Sequence, residues 1–282
     1  MYCDLHFHTI YSSDGYNDPA TVLPIMIESG LRFISPTDHD ALEANTVFRK
    51  LITGSNIHLI TGVELDTEHP DFGHLHILGY GFSETHPDIN SYCERELAAG
   101  QRFMDYIVDA MIKDGHINSY KSLEDFARKK HPDRRLGIKQ CWKWLVNQGV
   151  SEPDAKEYVS SVDSRNIKNH VCPHPREAIR AIRNAGGVAV FAHPAIISCP
   201  ERLEDAVDEI ISLGAIGVEA YTRSNKTEEN IRRVEAIGKS RQLLLTGGSD
   251  WHASDERIPD VWPSTVDMQC GYDLLDALSV SR

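Results

Sequence analysis

The chain has 282 residues, 41% of them hydrophobic, and a formal net charge of −13. That length accommodates one large α/β unit with an insertion, while the acidity excludes a broad basic surface for duplex nucleic acid. No apolar run approaches the length of a membrane span, and Met1 runs almost directly into a strand pattern, so no signal peptide is expected.

The first predicted strand is Cys3–His8. Side chains alternate along a strand, so Asp4, His6 and His8 share a face. Two imidazoles on one face form half of a metal site, and Asp4 is placed to orient one of the rings from behind. Asp18-Pro19 reads as an N-cap followed by proline at the first helical position, opening a helix that stops near Gly30. Strands are expected at Arg32–Pro36, Ile57–Val63 and Leu75–Leu78. From about Asp88 to Lys168 no strand pattern appears. Helices are expected there near Glu94–Lys113, after a cap formed by Ser122 and Asp125, and through Lys139–Asn147. We read 88–168 as a helical insertion that shapes substrate specificity, set into a discontinuous unit of 1–87 and 169–282. Beyond it, helices at Pro175–Asn184, Pro200–Leu213 and Lys226–Ser240 alternate with strands at Val188–Ala192, Ile216–Ala220 and Leu243–Thr246. Such alternation implies a parallel sheet or barrel.

The strand ends concentrate the chemistry. They carry Thr37-Asp38-His39-Asp40, Gly62-Val63-Glu64, His74-Leu75-His76, Ala192-His193-Pro194, Glu219-Ala220-Tyr221 and Ser249-Asp250-Trp251-His252. In a parallel barrel those ends converge on one rim. Imidazole and carboxylate together suit zinc, manganese or iron. His58, His69, His86, His116, His131, His170 and His174 fall in loops or before strands and read as ordinary histidines. His76 is the expected ligand of its pair, and His74 a neighbouring contact. The six cysteines (Cys3, Cys93, Cys141, Cys172, Cys199, Cys270) form no C-x-x-C pair and fit free thiols in a reducing cytoplasm.

The segments DLHFHTIYSSDG, SPTDHDAL, GVELDTEH, HLHILGYG, GGVAVFAHPA and GGSDWH, in this order, resemble the PHP (polymerase and histidinol phosphatase) family. They are similar to the stand-alone, tryptophan-operon-linked PHP phosphoesterases. The resemblance implies a distorted (β/α)7 barrel with up to three divalent metals, Mn, Zn or Fe. It implies that His6, His8 and Asp250 bind the first metal and that Glu64 bridges the first and second. His76 and His193 complete the second site; Asp14, His39 and His252 bind the third. Asp14 lies in Ser12-Ser13-Asp14-Gly15, which from sequence alone reads as a plain turn. Relatives acting on nucleotides carry GRPHIAR in the insertion, where this chain has Gly137-Ile138-Lys139-Gln140-Cys141-Trp142-Lys143. Arg134, Arg135, Lys139 and Lys143 stand ready to replace that charge, a solvated helix face being the competing reading.

The expected activity is therefore a cytoplasmic metal-dependent phosphatase acting on a small phosphorylated metabolite, a nucleoside monophosphate or bisphosphate. Metals lower the pKa of bound water, so a shared hydroxide is the expected nucleophile. Glu64, His193 and Asp250 are the expected catalytic residues, with Arg134, Arg135 and Arg223 contacting substrate phosphate. The alternatives are a 5′-3′ exonuclease or phosphodiesterase on short oligonucleotides, and a histidinol-phosphate phosphatase. No membrane contact, no stable binding of long nucleic acid and no obligate protein partner are expected.

Overall fold

The computed structural model describes residues 1–129, 131–164, 172–253, 259–264 and 266–280, the side chains of 163 and 164 excepted. His170 and the expected boundary at 168/169 lie outside them.

Two sheets form the centre. In the first, β1 (Tyr2–Phe7) pairs in parallel with β2 (Leu31–Pro36), and β2 with the short β3 (His58–Leu59). On its other side β1 pairs antiparallel with β9 (Val266–Asp267). In the second, β4 (Gly62–His69) and β5 (Gly73–Tyr80) form an antiparallel hairpin, and β5 pairs antiparallel with β6 (Val188–Phe191). Parallel pairing continues through β7 (Gly217–Thr222) to β8 (Leu244–Gly248).

This corrects the expected (β/α)7 barrel. The described residues form open sheets of four and five strands, not one closed parallel ring. The predicted strand Ile57–Val63 divides into β3 and the start of β4, which belong to different sheets. Gly73, at φ +76°, turns the chain straight back into β5. β4 is thus one arm of a hairpin rather than half of a parallel crossover. Isolated bridges between Phe7 and Trp251 and between His39 and Glu64 extend the pairing beyond the named strands.

Ten helices flank the sheets among the described residues. α1 (Pro19–Glu28) begins where expected, with Asp18 accepting from the Thr21 N–H at 3.1 Å. α2 (Glu43–Leu51), α6 (Glu152–Ser164) and α10 (Gln269–Val280) were not anticipated. α3 (Pro87–Lys113) starts earlier than predicted, capped by His86. α4 (Tyr120–Ala127) is capped by Ser119 rather than Ser122, whose N–H it receives at 3.3 Å. α5 spans Ile138–Asn147 and α7 Pro175–Asn184. A 3-10 turn at Pro200–Arg202 precedes α8 (Leu203–Ser212), and Thr227 caps α9 (Glu228–Ser240).

The second sheet buries Val63, Leu65, Ile77 and Phe191 against Ile179 and Ile182 of α7 and Val207 and Ile210 of α8. Under β1 and β2, Phe7 meets Phe48 and Trp262 edge-on, at centroid distances of 5.6 and 5.5 Å. A separate cluster joins α3 to α6, around Met104, Ile107, Met111, Leu123, Leu145 and Val159. Each fully buried side chain of this size contributes roughly 1.5–3 kcal/mol. Together these layers hold the ends of β1, β2, β4, β5, β6 and β8 at one place.

Candidate metal centre

Alternation on β1 brings His6 and His8 together, with their Nε2 atoms 3.3 Å apart. β8 approaches β1 closely because Gly248 has no side chain; a Cβ there would sit 2.4 Å from the His6 nitrogen. The Asp250 N–H donates to the His6 carbonyl at 2.7 Å. Its Oδ1 then lies 3.2 Å from His6 Nε2 and 3.1 Å from His8 Nε2. Glu64, near the start of β4, enters from the opposite side. One oxygen, Oε2, is 3.1 Å from both His6 and His8. The other, Oε1, is 2.8 Å from His76 Nδ1 and 3.1 Å from His193 Nε2. The third expected group gathers on the far side of His8. Asp14 Oδ2 is 2.8 Å from His252 Nε2 and 3.9 Å from His39 Nε2.

The donor atoms fall into overlapping groups, each within 4.8 Å: His6, His8, Glu64 and Asp250; Glu64, His76 and His193; His8, Asp14, His39 and His252. All nine residues expected as ligands are in these groups, and Glu64 belongs to two. A fourth group, His39, Asp66 and His76, was not anticipated. Asp66 Oδ1 lies 2.7 Å from His39 Nδ1. Asp66 follows Glu64 by two on the same strand face, so period two was the available signal.

The electrostatics favour cations. Burial opposes charge on Glu64, yet His6, His39 and His76 hold its carboxyl well below the ordinary range. Burial likewise opposes charge on Asp14, which His39 and His252 keep well below it. Burial opposes protonation of His8, but hydrogen bonds to Asp250 and Glu64 push it up to about 9. Two imidazole nitrogens aimed at each other and at two carboxylates make a poor hydrogen-bond network and a good ligand set. This donor chemistry fits one or more divalent ions.

Further placements bear on the sequence reading. Among the described residues Asp4 touches no imidazole ring. It accepts from Ser249 N–H at 2.8 Å, Ser249 Oγ–H at 2.6 Å and Trp262 Nε1–H at 2.6 Å, tying β1 to the segment carrying Asp250. Arg134 is not on a solvated face: it is buried, with its guanidinium carbon 4.4 Å above the Tyr16 ring. Arg135 Nη1 donates to the His39 carbonyl at 3.2 Å, and Lys139 Nζ to the Asp14 carbonyl at 2.8 Å. Both arginines line a cavity of about 1050 Å³, shared with His39, Asp66, His74 and Arg128. Arg223 is exposed and lines a different cavity, of about 940 Å³, between β8 and α10. The structure therefore joins Arg134 and Arg135 to the cluster but not Arg223.

Residues 4–145 match the PHP domain. The chain belongs to the PHP-domain family. This PHP protein is 27% identical over 274 residues to a phosphoribosyl 1,2-cyclic phosphate 1,2-diphosphodiesterase of Eggerthella lenta, covering 92% of this chain and 97% of that one. It is 25% identical to a 5′-3′ exoribonuclease of Haemophilus influenzae, covering 98% and 96%. It also resembles the crystal structure of a Bifidobacterium adolescentis protein provisionally assigned as a metal-dependent phosphoesterase. There the TM-score is 0.80 at 25% identity, covering 98% and 96%. This PHP protein is a metal-dependent phosphoric ester hydrolase. Among the described residues no helix is long and apolar enough to cross a membrane.

Proposed function

We propose that the chain hydrolyses a phosphomonoester on a small metabolite, a nucleoside monophosphate or bisphosphate, in the cytoplasm. One observation carries this reading: histidine–carboxylate groups sharing Glu64 open, through His39 and Asp66, into a cavity that Arg128, Arg134 and Arg135 line. A volume of about 1050 Å³ admits a nucleotide-sized molecule.

In this proposal His6, His8 and Asp250 would hold one divalent ion of manganese, zinc or iron, His76 and His193 a second, and Asp14, His39 and His252 a third, with Glu64 serving the first two groups. Such ions would supply Lewis acidity and an activated water. The chain's own residues do the rest. Arg134, pinned over Tyr16, and Arg135, tethered to the His39 carbonyl, draw a phosphate toward the histidines. Glu64, His193 and Asp250 keep the reacting end in a fixed, partly dehydrated frame, where oriented charge acts strongly. The stretch 88–168 acts as the specificity insertion, because its Phe103, Met104 and arginines form one wall of the cavity.

A second reading, cleavage of a phosphodiester, is favoured by the two curated relatives, whose names specify a cyclic phosphodiester and RNA. The test is phosphate release and product analysis for the manganese-loaded chain. Its substrates are a nucleoside monophosphate, a nucleoside 3′,5′-bisphosphate, a cyclic phosphodiester and a short 5′-phosphorylated oligonucleotide. Preferred release of inorganic phosphate from the mononucleotides supports the first reading. Preferred opening of the diester, or stepwise shortening of the oligonucleotide, replaces it with the second.

A further inference from the structure

Glu219 stands outside every ligand group, yet it touches two of them from behind. It lies on β7 and is fully buried. Its Oε1 lies 2.9 Å from His6 Nδ1. Its Oε2 accepts from the backbone N–H of His193, also at 2.9 Å. His6 belongs to the first group and His193 to the second, and their rings stack at 5.7 Å.

An ionised carboxylate has no hydrogen to give. Toward Glu219, His6 must therefore present Nδ1–H, which leaves the Nε2 lone pair facing Glu64, His8 and Asp250. The second oxygen holds a strained turn. His193 sits at φ 25°, ψ 58°, a strained conformation that persists only where its surroundings enforce it. With its N–H fixed on Glu219, the ring reaches Glu64 Oε1. Glu64 thus joins the two groups at the front, and Glu219 joins them at the back.

We propose that Glu219 is a positioning residue that sets the tautomer of His6 and the backbone turn of His193 together, so that the first and second metal groups are built as one unit. The inference rests on the metal-centre reading, but its test does not use hydrolysis. Failure of the substrate assignment would leave it standing.

The informative variant is Glu219→Gln, which keeps the shape. The amide offers one oxygen and one NH₂. With the oxygen toward His6, the NH₂ meets the His193 N–H, donor against donor, and the turn loosens. With the oxygen toward His193, the NH₂ faces His6 Nδ1 and drives the ring proton to Nε2, into the first group. Either way one group is impaired. Residues that orient metal-binding histidines change affinity by about 10- to 100-fold when replaced.

The experiment measures zinc(II) affinity of the full chain by chelator competition, together with ¹⁵N-histidine NMR of the zinc-loaded protein. The expected wild-type result is a solvent-protected Nδ1–H on His6. The expected variant result is zinc affinity weakened by about 10- to 100-fold in at least one group, with that ring proton shifted or lost. Wild-type affinity together with an unchanged ring proton in Glu219→Gln would overturn the proposal. Should that variant not fold, the wild-type spectrum decides alone: coordination through Nδ1 of His6, with the proton on Nε2, overturns it.

Discussion

Asn225 should be worth far more than its position in a short surface-side turn implies. It is fully buried, and its amide is used at both ends. Nδ2 donates to the carbonyls of Glu219 at 3.1 Å and Ala220 at 3.0 Å. Oδ1 accepts from the Ala195 N–H at 3.1 Å. Those carbonyls belong to the stretch of β7 where its register with β8 is irregular, between Glu219 and Tyr221. The Ala195 N–H belongs to the turn after His193. Asn225 therefore staples the strand bearing Glu219 to the turn bearing His193. Asn225→Ala leaves one buried donor without its partner, at about 1–3 kcal/mol, strips a hydrogen bond from two carbonyls and opens a small void. The sum is about 3 kcal/mol, which for a domain of this size lowers Tm by roughly 6–12 °C. Asn225→Asp separates the contributions: it keeps the acceptor for Ala195 but turns the donor end into an anion facing two carbonyls, so it should be no more stable than the alanine variant. Urea unfolding of the chelator-treated protein measures both, with an unchanged slope confirming that stability alone has moved. An Asn225→Asp protein as stable as the wild type would refute the argument, because only an amide satisfies both partners.

Four other outcomes follow from the same geometry. Glu64→Ala removes the carboxylate shared by two groups and should lower bound metal and abolish turnover; a variant with full metal content and normal turnover would sink the shared-carboxylate reading. Dialysis against EDTA should remove activity, and divalent manganese or zinc should restore it; activity surviving in metal-free protein would contradict the hydrolase chemistry. Replacing Arg134 and Arg135 with alanine should raise KM about tenfold or more with a smaller effect on kcat, as expected for contacts made equally in ground and transition states; unchanged steady-state kinetics would remove them from the substrate wall. Arg223→Ala should leave both parameters within about twofold, since that side chain lines the other cavity; a large rise in KM would show that the two cavities communicate.

Much of the centre was legible because metal ligands need particular residue types at strand ends. His6 and His8 follow from period two, and Asp250 and His252 from a second short acidic–imidazole motif. Strand direction was less legible. The arm Gly62–His69 alternates in the same way whether its partner runs parallel or antiparallel, and the glycine at 73 that decides the matter is one residue long. The expected barrel failed at that point. Helix α2 escaped notice because no side chain caps its start and its stability comes from burying Phe48 against distant strands.

The residues behind the ligands were hardest to read, and the reason is geometric. Glu219 meets His6 across 213 positions of sequence, and neither neighbour of Glu219 marks the contact. Asp4 shares the histidine face of β1, so period two alone assigns it to a ring. In the structure its oxygens are already taken by Ser249 and Trp262, which arrive from the other end of the chain. A ligand's chemistry is intrinsic to its side chain, whereas an orienting carboxylate is defined only by what folding brings to it. Carboxylates on strands next to metal-type histidines are therefore candidates for either role, and only the contact assigns them. By that criterion Glu64 faces the donor groups, Glu219 holds two of them in place, and Asp4 fastens the segment after β8 that carries Asp250.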